Sequence, residues 1–168
     1  TSNTFSGIIQ NSGGGTLALT KTNTNTLTLS GTSSTYTGAT IINRGIITVS
    51  SLQNAGVASS LGAPTGTTSD ITFNNSSASQ SSGLTYAGTT AASTDRALSI
   101  ALGSGAITTA HTITISNTST AAGASLVFTS NLKNTTNTSA LAPTLIFSGT
   151  NPAADVNEFR GNLINSTA

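Results

Sequence analysis

Short segments in which apolar and hydroxyl-bearing residues alternate recur along the whole chain, and they constrain its fold more than any other feature. These segments cover residues 17–19, 27–29, 46–49, 71–73, 84–86, 98–102, 113–115, 126–128 and 145–147. Successive side chains of a strand point to opposite faces, so each segment is predicted to be a strand with one apolar and one polar face. Residues 91–102 come nearest to helical periodicity, but the alternation from Leu98 onward favours strand or loop. The pattern therefore predicts an all-β fold.

The spacing of these strands leaves two all-β architectures open. Strands follow one another at intervals of about 10 to 25 residues, as in an antiparallel sandwich or in the successive coils of a solenoid. Asn-Gly and Asp-Gly hairpin turns are absent, and polar rows such as residues 22–28 suit stacking between like coils. We therefore predict a right-handed parallel β-helix, or β-solenoid, with short strands and turns of Gly, Ser and Asn.

The composition agrees with a solenoid that has a lean core. Hydrophobic residues make up 35% of the 168 residues and charged residues only 5%. Each coil of a solenoid buries few residues against its neighbours, so this content suffices for one domain. The scarcity of charge and proline, together with the abundance of β-branched residues, argues against disorder. Residues 1–168 are predicted to form a single β-solenoid module.

Charge and cysteine content exclude several classes of function. The formal net charge is +1, and the five cationic residues are scattered along the chain, so there is no basis for capture of nucleic acid or of an anionic membrane. Cysteine is absent, which excludes disulfides and thiolate metal sites. We find neither a signal peptide nor an apolar run of membrane-spanning length, and therefore expect no membrane insertion within this segment.

The two ends of the chain carry a similar motif. Residues 5–12 and 159–166 share Phe, Gly, aliphatic, Asn and Ser at matching positions. A solenoid cut in mid-pattern exposes coil ends that need a cap or another copy. The module is therefore predicted to be one segment of a longer tandem or head-to-tail array, which associates end to end with itself or with further copies of the repeat. The alternative is a chance match in a sequence of low complexity.

Residues 27–49 contain the most specific motif of the chain. They read Leu-Thr-Leu-Ser-Gly, then Tyr-Thr-Gly-Ala-Thr, then Ile-Asn-Arg-Gly and a closing Ile-Ile-Thr-Val strand. This stretch resembles the passenger-associated repeat of bacterial autotransporters. The resemblance covers 23 of the 168 residues. It implies a parallel β-helix exported to the cell surface, and it implies no catalytic chemistry.

The residues of this motif have individual structural interpretations. Leu27 and Leu29 are predicted to point into the coil, and Tyr36 to cover an apolar edge. Gly45 is predicted to redirect the chain into the next strand. The two remaining glycines of the motif are predicted to permit turns that a Cβ would obstruct: Gly31 and Gly38.

Few residues of the chain are candidates for catalytic or ligand-binding chemistry. His111 is the only histidine, and we expect it to be a strand-end residue bonded to backbone or solvent, not part of a Ser-His-Asp triad. Asp155 and Glu158 are the closest pair of acids, and next to Arg160 they indicate a solvated loop cluster more than a glycosidase pair or a Ca²⁺ site. We therefore predict no catalytic residue, no cofactor and no metal site, and expect a protein that is not an enzyme.

The other charged residues are predicted to lie at the surface. Asp95 and Arg96 are interpreted as a surface pair at a strand entry. Lys21 and Arg44 are interpreted as charges that flank a sheet edge and discourage aggregation.

Two non-enzymatic functions are compatible with these features. The leading hypothesis is a structural or adhesive module of a secreted or cell-surface bacterial protein, in one form a repeat unit of an extracellular fibre, which contacts carbohydrate or cell surface through polar faces. The alternative is an ice-binding, Thr-rich β-solenoid. Residues 22–28 supply one Thr row, but the sequence after Thr48 shows no regular continuation of it. A polysaccharide-active β-helix enzyme is the least favoured class.

Overall fold

The computed structural model describes residues 1–74, 81–102, 111–135 and 142–165. Its regular structure consists of β-strands and one short 3₁₀ helix, Gly66–Ser69. Every pairing between strands is parallel. This result excludes the antiparallel sandwich.

The strands form three sheets. The first sheet has six strands in the spatial order β1 (Asn3–Phe5), β3 (Thr26–Leu29), β5 (Gly45–Val49), β7 (Ser82–Tyr86), β10 (Thr112–Asn117) and β13 (Thr144–Gly149). The second sheet also has six, β2 (Leu19–Lys21), β4 (Thr40–Ile42), β6 (Ile71–Phe73), β9 (Leu98–Ile100), β12 (Leu132–Asn134) and β15 (Leu163–Asn165). The third sheet has three, β8 (Ala92–Thr94), β11 (Leu126–Phe128) and β14 (Glu158–Phe159).

The chain visits these sheets in a repeating order. Each of six coils contributes one strand to the first sheet and then one to the second. In each of the last three coils, a strand of the third sheet lies between these two strands. Because the order of strands in each sheet follows their order in the chain, each coil lies directly on the coil before it. The described chain is a parallel β-helix, as the strand pattern predicted.

The register aligns residues in columns that run along the stack. In the first sheet Asn3 lies beside Leu27, Leu27 beside Ile47, Ile47 beside Leu84, Leu84 beside Ile115 and Ile115 beside Phe147, so successive coils take 24, 20, 37, 31 and 32 residues. Parallel strands are about 4.8 Å apart, and the coils therefore add length in equal steps although their loops differ.

The core consists of inward-facing columns from the sheets. Ile47 and Leu84 are buried in the first sheet, and Ile71 and Leu98 in the second. Leu29 is also buried, and Leu27 packs against the core, which confirms their predicted inward orientation. The period of two in the sequence fixes this orientation because alternate side chains of a strand lie on opposite faces.

The third side of the helix changes along the stack. Coils one to three have no strand of the third sheet among the described residues, and an isolated bridge joins Ser34 to Ser59 there. Coil three makes a long excursion over residues 50–70 between β5 and β6, and this excursion buries Leu52 and Leu61 against the core.

The predicted strands agree with the structure at most positions, with one shift and several omissions. The strand predicted at residues 17–19 lies at Leu19–Lys21 instead. The pattern missed β1, β4, β8, β12, β14 and β15. These strands are two or three residues long, and several carry little apolar character, as in the Ala-Ser-Thr of β8. They exist because neighbouring coils supply their hydrogen-bonding partners.

The similar motifs at the two chain ends do not occupy equivalent positions in the coils. Phe5 ends β1 in the first sheet, whereas Phe159 ends β14 in the third. The tandem or head-to-tail array remains a prediction, but the motif match does not define its register.

Candidate binding face

A column of hydroxyl-bearing residues crosses the outer face of the first sheet. In each strand the residue lies between two inward-facing positions, as Thr28 does between Leu27 and Leu29, and therefore faces outward. The parallel register places these residues in line, one for each coil: Thr4, Thr28, Thr48, Thr85, Ser116 and Ser148. We call this set the hydroxyl column.

A second outward column runs beside it and is partly aliphatic. It contains Thr26, Ile46, Gly83, Thr114 and Ile146. No residue that the structure assigns to the strands of the first sheet is charged. The outer face of this sheet is therefore neutral, with hydroxyl groups next to methyl groups.

Hydrogen bonding within the hydroxyl column is partial. The hydroxyl oxygens of Thr85 and Ser116 are 2.8 Å apart, so one donates to the other, and Ser116 is only 8% exposed. Thr28 and Thr48 are half-buried, whereas Thr4 and Ser148 in the end coils are exposed. A hydroxyl can donate one hydrogen bond and accept two, so these groups retain capacity for a ligand.

The column corrects the sequence interpretation of the Thr row. Of residues 22–28, only Thr26 and Thr28 point outward from a strand, because residues 22–25 form the turn between β2 and β3. The Thr row continues beyond Thr48 only to Thr85, but Ser116 and Ser148 extend the same column with hydroxyl groups. The continuation depends on register between coils, which spacing along the chain does not reveal.

The charges lie on other parts of the molecule. Lys133 faces outward from β12 in the second sheet, and its Nζ is 2.9 Å from Oδ2 of Asp70, two coils away. Arg160 donates to Glu158 at 2.7 Å next to the third sheet, and this hydrogen bond lowers the pKa of the Glu158 carboxyl. Neither of these two ion pairs lies on the outer face of the first sheet.

The two candidate acids, Asp155 and Glu158, contact different partners. Oδ1 of Asp155 accepts the amide of Gly123 at 2.8 Å, while Glu158 binds Arg160. The two carboxylates thus serve separate contacts. Within the described ranges, no group of three His, Asp or Glu residues could hold a metal ion.

His111 lies directly before β10 and is buried. Its carbonyl accepts the amide of Thr144 at 2.7 Å, which joins coil five to coil six. The expected location at a strand end is confirmed.

Two charged residues predicted at the surface are buried. Arg96 is 1% exposed, and it donates from Nε to the carbonyl of Ser69 at 2.7 Å and from Nη1 to the carbonyl of Leu61 at 2.9 Å. Burial lowers its pKa to about 10. Lys21 is 7% exposed, and its ammonium donates to the carbonyls of Asn23 and Arg44, while burial lowers its pKa.

These burials overturn the surface interpretation for a geometric reason. Arg96 lies at the corner between β8 and β9 and reaches back to the excursion of coil three, so its partners are 27 and 35 residues away in the chain. Lys21 is the inward residue at the end of β2, in line with Ile42 and Phe73. Neither relationship has a local signal in the sequence.

Tyr36 is fully buried, close enough to Arg96 to feel its charge. Its hydroxyl is 2.8 Å from Oγ1 of Thr40, and burial raises its pKa, while the Thr40 hydrogen bond and the charge of Arg96 act in the opposite direction. Tyr36 is predicted to cover an apolar edge, and in the structure it is enclosed on all sides.

Comparison with known proteins identifies one segment of this structure. Residues 19–49, under a fifth of the chain, match the family model of the passenger-associated-transport-repeat. They run from β2 to the end of β5 and so contain one complete turn, through β3 and β4, with a strand on each side. No curated protein and no solved structure matched the chain. In the part of the chain that the structure describes, no helix has the length and apolar character needed to cross a membrane. Residues 19–49 of this parallel β-helix are therefore similar to the passenger-associated-transport repeat, the family that the motif at residues 27–49 resembles.

Proposed function

We propose that this chain is a structural and adhesive module of a bacterial cell-surface protein, in which the outer face of the first sheet binds neutral carbohydrate. The passenger-associated-transport repeat supports the cell-surface setting. The hydroxyl column is the observation that carries the adhesive role, because it gives one polar contact for each coil on a face without charge.

Neutral carbohydrate suits the chemistry of this face. Hydroxyl groups of Thr and Ser donate to and accept from sugar hydroxyls, and the methyl groups of Thr and Ile contact the apolar faces of sugar rings. Each neutral hydrogen bond contributes only about 0.5–1.5 kcal/mol in water. Affinity therefore depends on several coils that engage one extended chain at the same time.

Retention on insoluble cellulose and chitin tests this proposal. We expect the double variant Thr28→Val, Thr48→Val to reduce retention about tenfold, because each change removes a hydroxyl and keeps the side-chain shape. The matched control is Thr20→Val, Thr72→Val, which alters outward residues of the second sheet. Equal losses in both variants, or no binding by the unaltered chain to either solid, would contradict the proposal.

Ice binding is a second candidate, and the regular spacing of the hydroxyl column favours it. Rungs about 4.8 Å apart present hydroxyl and methyl groups at a constant period to ordered water. A thermal hysteresis assay distinguishes the candidates, since an ice-binding face gives hysteresis that Thr28→Val, Thr48→Val reduces. A chain that binds glycans without hysteresis is an adhesive module only.

We further propose that the module is not an enzyme. The separate engagement of Asp155 by Gly123 and of Glu158 by Arg160 supports this view. Release of reducing ends from pectin, chitin or glucans by the purified chain would contradict it.

A further inference from the structure

The end coils of the β-helix expose residues that belong to the core columns. Phe5 in the first coil is 43% exposed, and Phe147 and Leu163 in the last coil are 50% and 72% exposed. The same columns are buried in the middle of the stack, at Val49 and Ile47 in the first sheet and at Ile71 in the second. In the described chain the first and last coils have a neighbouring coil on one side only, whereas the middle coils have one on both sides.

A cavity opens at the end formed by the last coil. It has a volume of about 390 Å³, and its apolar lining comes mainly from residues that face inward in coils five and six: Ile115, Leu126, Phe128, Phe147 and Phe159. The ring centroids of Phe147 and Phe159 are 5.8 Å apart. An open apolar cavity that continues the core of a solenoid is a surface that a further coil can cover.

Both ends also present unpaired strand edges. Among the described residues, β1 and β2 have strand partners on one side only, and so do β13, β14 and β15 at the opposite end. The free amide and carbonyl groups of an edge strand form a template for another strand.

The columns indicate which surface fits each end. The column that begins at Phe5 finishes at Gly149, so the register places an incoming Phe5 over this glycine. The column that begins at Leu19 finishes at the exposed Leu163. The two ends of one chain are therefore complementary to each other.

We propose that a second copy of this chain stacks head to tail on the first, with its first coil on the last coil of its neighbour. Phe5 of one copy then lies on Gly149 of the next, Leu19 on Leu163, and Thr4 on Ser148. This arrangement keeps the strands parallel and in the register found between coils, whereas a head-to-head contact would require antiparallel pairing. A heterologous contact of this kind repeats without closing and gives filaments. The inference does not depend on the carbohydrate-binding face.

Sedimentation velocity and negative-stain electron microscopy of the 168-residue chain test the stacking. We expect the sedimenting mass to increase with protein concentration, and we expect electron micrographs to show rods of varied length. Phe5→Asp and Leu163→Asp should each abolish rods, because each places a carboxylate in the contact at one end. Val57→Asp is the matched control, since Val57 is 49% exposed in the excursion of coil three and away from both ends.

Mixing the two end variants tests polarity. Each variant retains one intact end, so Phe5→Asp and Leu163→Asp should be monomers alone and form only dimers when combined. Circular dichroism of each variant must retain the β signal of the unaltered chain. Three results would overturn the proposal. They are an unaltered chain that stays monomeric at every concentration, end variants that assemble as the unaltered chain does, and dimers formed by one variant alone.

Discussion

At the scale of single residues, buried polar groups hold together parts of the helix that strand pairing does not join. Arg96 links the excursion of coil three to coil four through the carbonyls of Ser69 and Leu61. Asn117 faces inward in the first sheet and donates to the carbonyl of Ala124 at 2.6 Å and to Oδ1 of Asn157 at 2.8 Å. Buried polar groups without partners are costly, so these contacts specify the fold of the corners.

Removal of the Arg96 side chain should destabilise the protein. Arg96→Ala leaves two buried carbonyls without their donor and opens a cavity, so we expect the free energy of unfolding to fall by about 2–4 kcal/mol. Urea unfolding followed by circular dichroism measures the change. The control is Arg160→Ala, which removes an exposed guanidinium and should leave the midpoint unchanged. Equal midpoints for the two variants would contradict a supporting role for Arg96.

Tyr36 should make the protein sensitive to alkaline pH. Burial raises the pKa of Tyr36 above its ordinary value of 10.0, so the folded state holds the phenol proton more tightly than the unfolded state. The stability contributed by this difference is complete below pH 10 and is lost as pH rises above it. Arg96, whose pKa is lowered to about 10, acts in the opposite direction because its unfolded form binds the proton more tightly.

Comparison with Tyr36→Phe isolates the tyrosine contribution. The variant lacks the titrating phenol, so its free energy of unfolding should decline less between pH 9 and pH 11 than that of the unaltered chain, apart from a constant offset for the lost Thr40 hydrogen bond. Urea titrations at several pH values measure both slopes. Parallel slopes would contradict the assignment.

At the scale of elements, close stacking of coils sets the requirements at the corners. A Cβ on Gly31 would overlap the carbonyl oxygen of Gly7 in the coil before it. Gly45 enters β5 with a φ of 70°, a conformation that L side chains rarely adopt. The glycines within residues 19–49 thus mark places where one coil passes directly over another.

Gly31→Ala should therefore destabilise the fold by more than about 2 kcal/mol, because the added methyl group must displace the backbone of the neighbouring coil. Gly15→Ala is the control, since the nearest atom to its Cβ would be the Ser12 carbonyl oxygen at 3.6 Å. Thermal unfolding of both variants measures the difference. Similar transition temperatures for the two variants would contradict the prediction, because they would mean that the contact between the first two coils tolerates the added methyl group.

At the scale of the whole molecule, the protein is a one-dimensional stack in which each coil contacts its neighbours. Charges are confined to the corners, the second sheet and the third sheet, so the outer face of the first sheet stays neutral along the full length. Stability in such a stack is the sum of contacts between adjacent coils, and the end coils have only one neighbour.

Hydrogen exchange should follow this arrangement. The amides of β5 and β7, which have coils on both sides, should exchange most slowly, and those of β1 and β15 most rapidly. Mass spectrometry of peptides after deuterium labelling measures the gradient at concentrations where the chain is monomeric. Uniform protection from end to end would indicate a single cooperative unit instead.

The residue pattern along the chain is sufficient to predict the class of fold and the inward and outward faces of the main strands. Alternation of apolar and hydroxyl residues predicts strands such as those ending at Leu29 and Val49, and the motif at residues 27–49 predicts a parallel β-helix. These features are local, because a strand has a side-chain period of two and a corner glycine lies next to its strand.

The contacts between residues of different coils follow instead from the way the coils stack. Loops of unequal length separate Thr48 from Thr85 and Arg96 from Leu61, so no constant period in the sequence reveals the hydroxyl column or the buried guanidinium. The shortest strands, such as β8 and β14, lack a pattern of their own and form because a neighbouring coil pairs with them. The physical reason is that backbone hydrogen bonds between coils fix the register, and register depends on the whole stack.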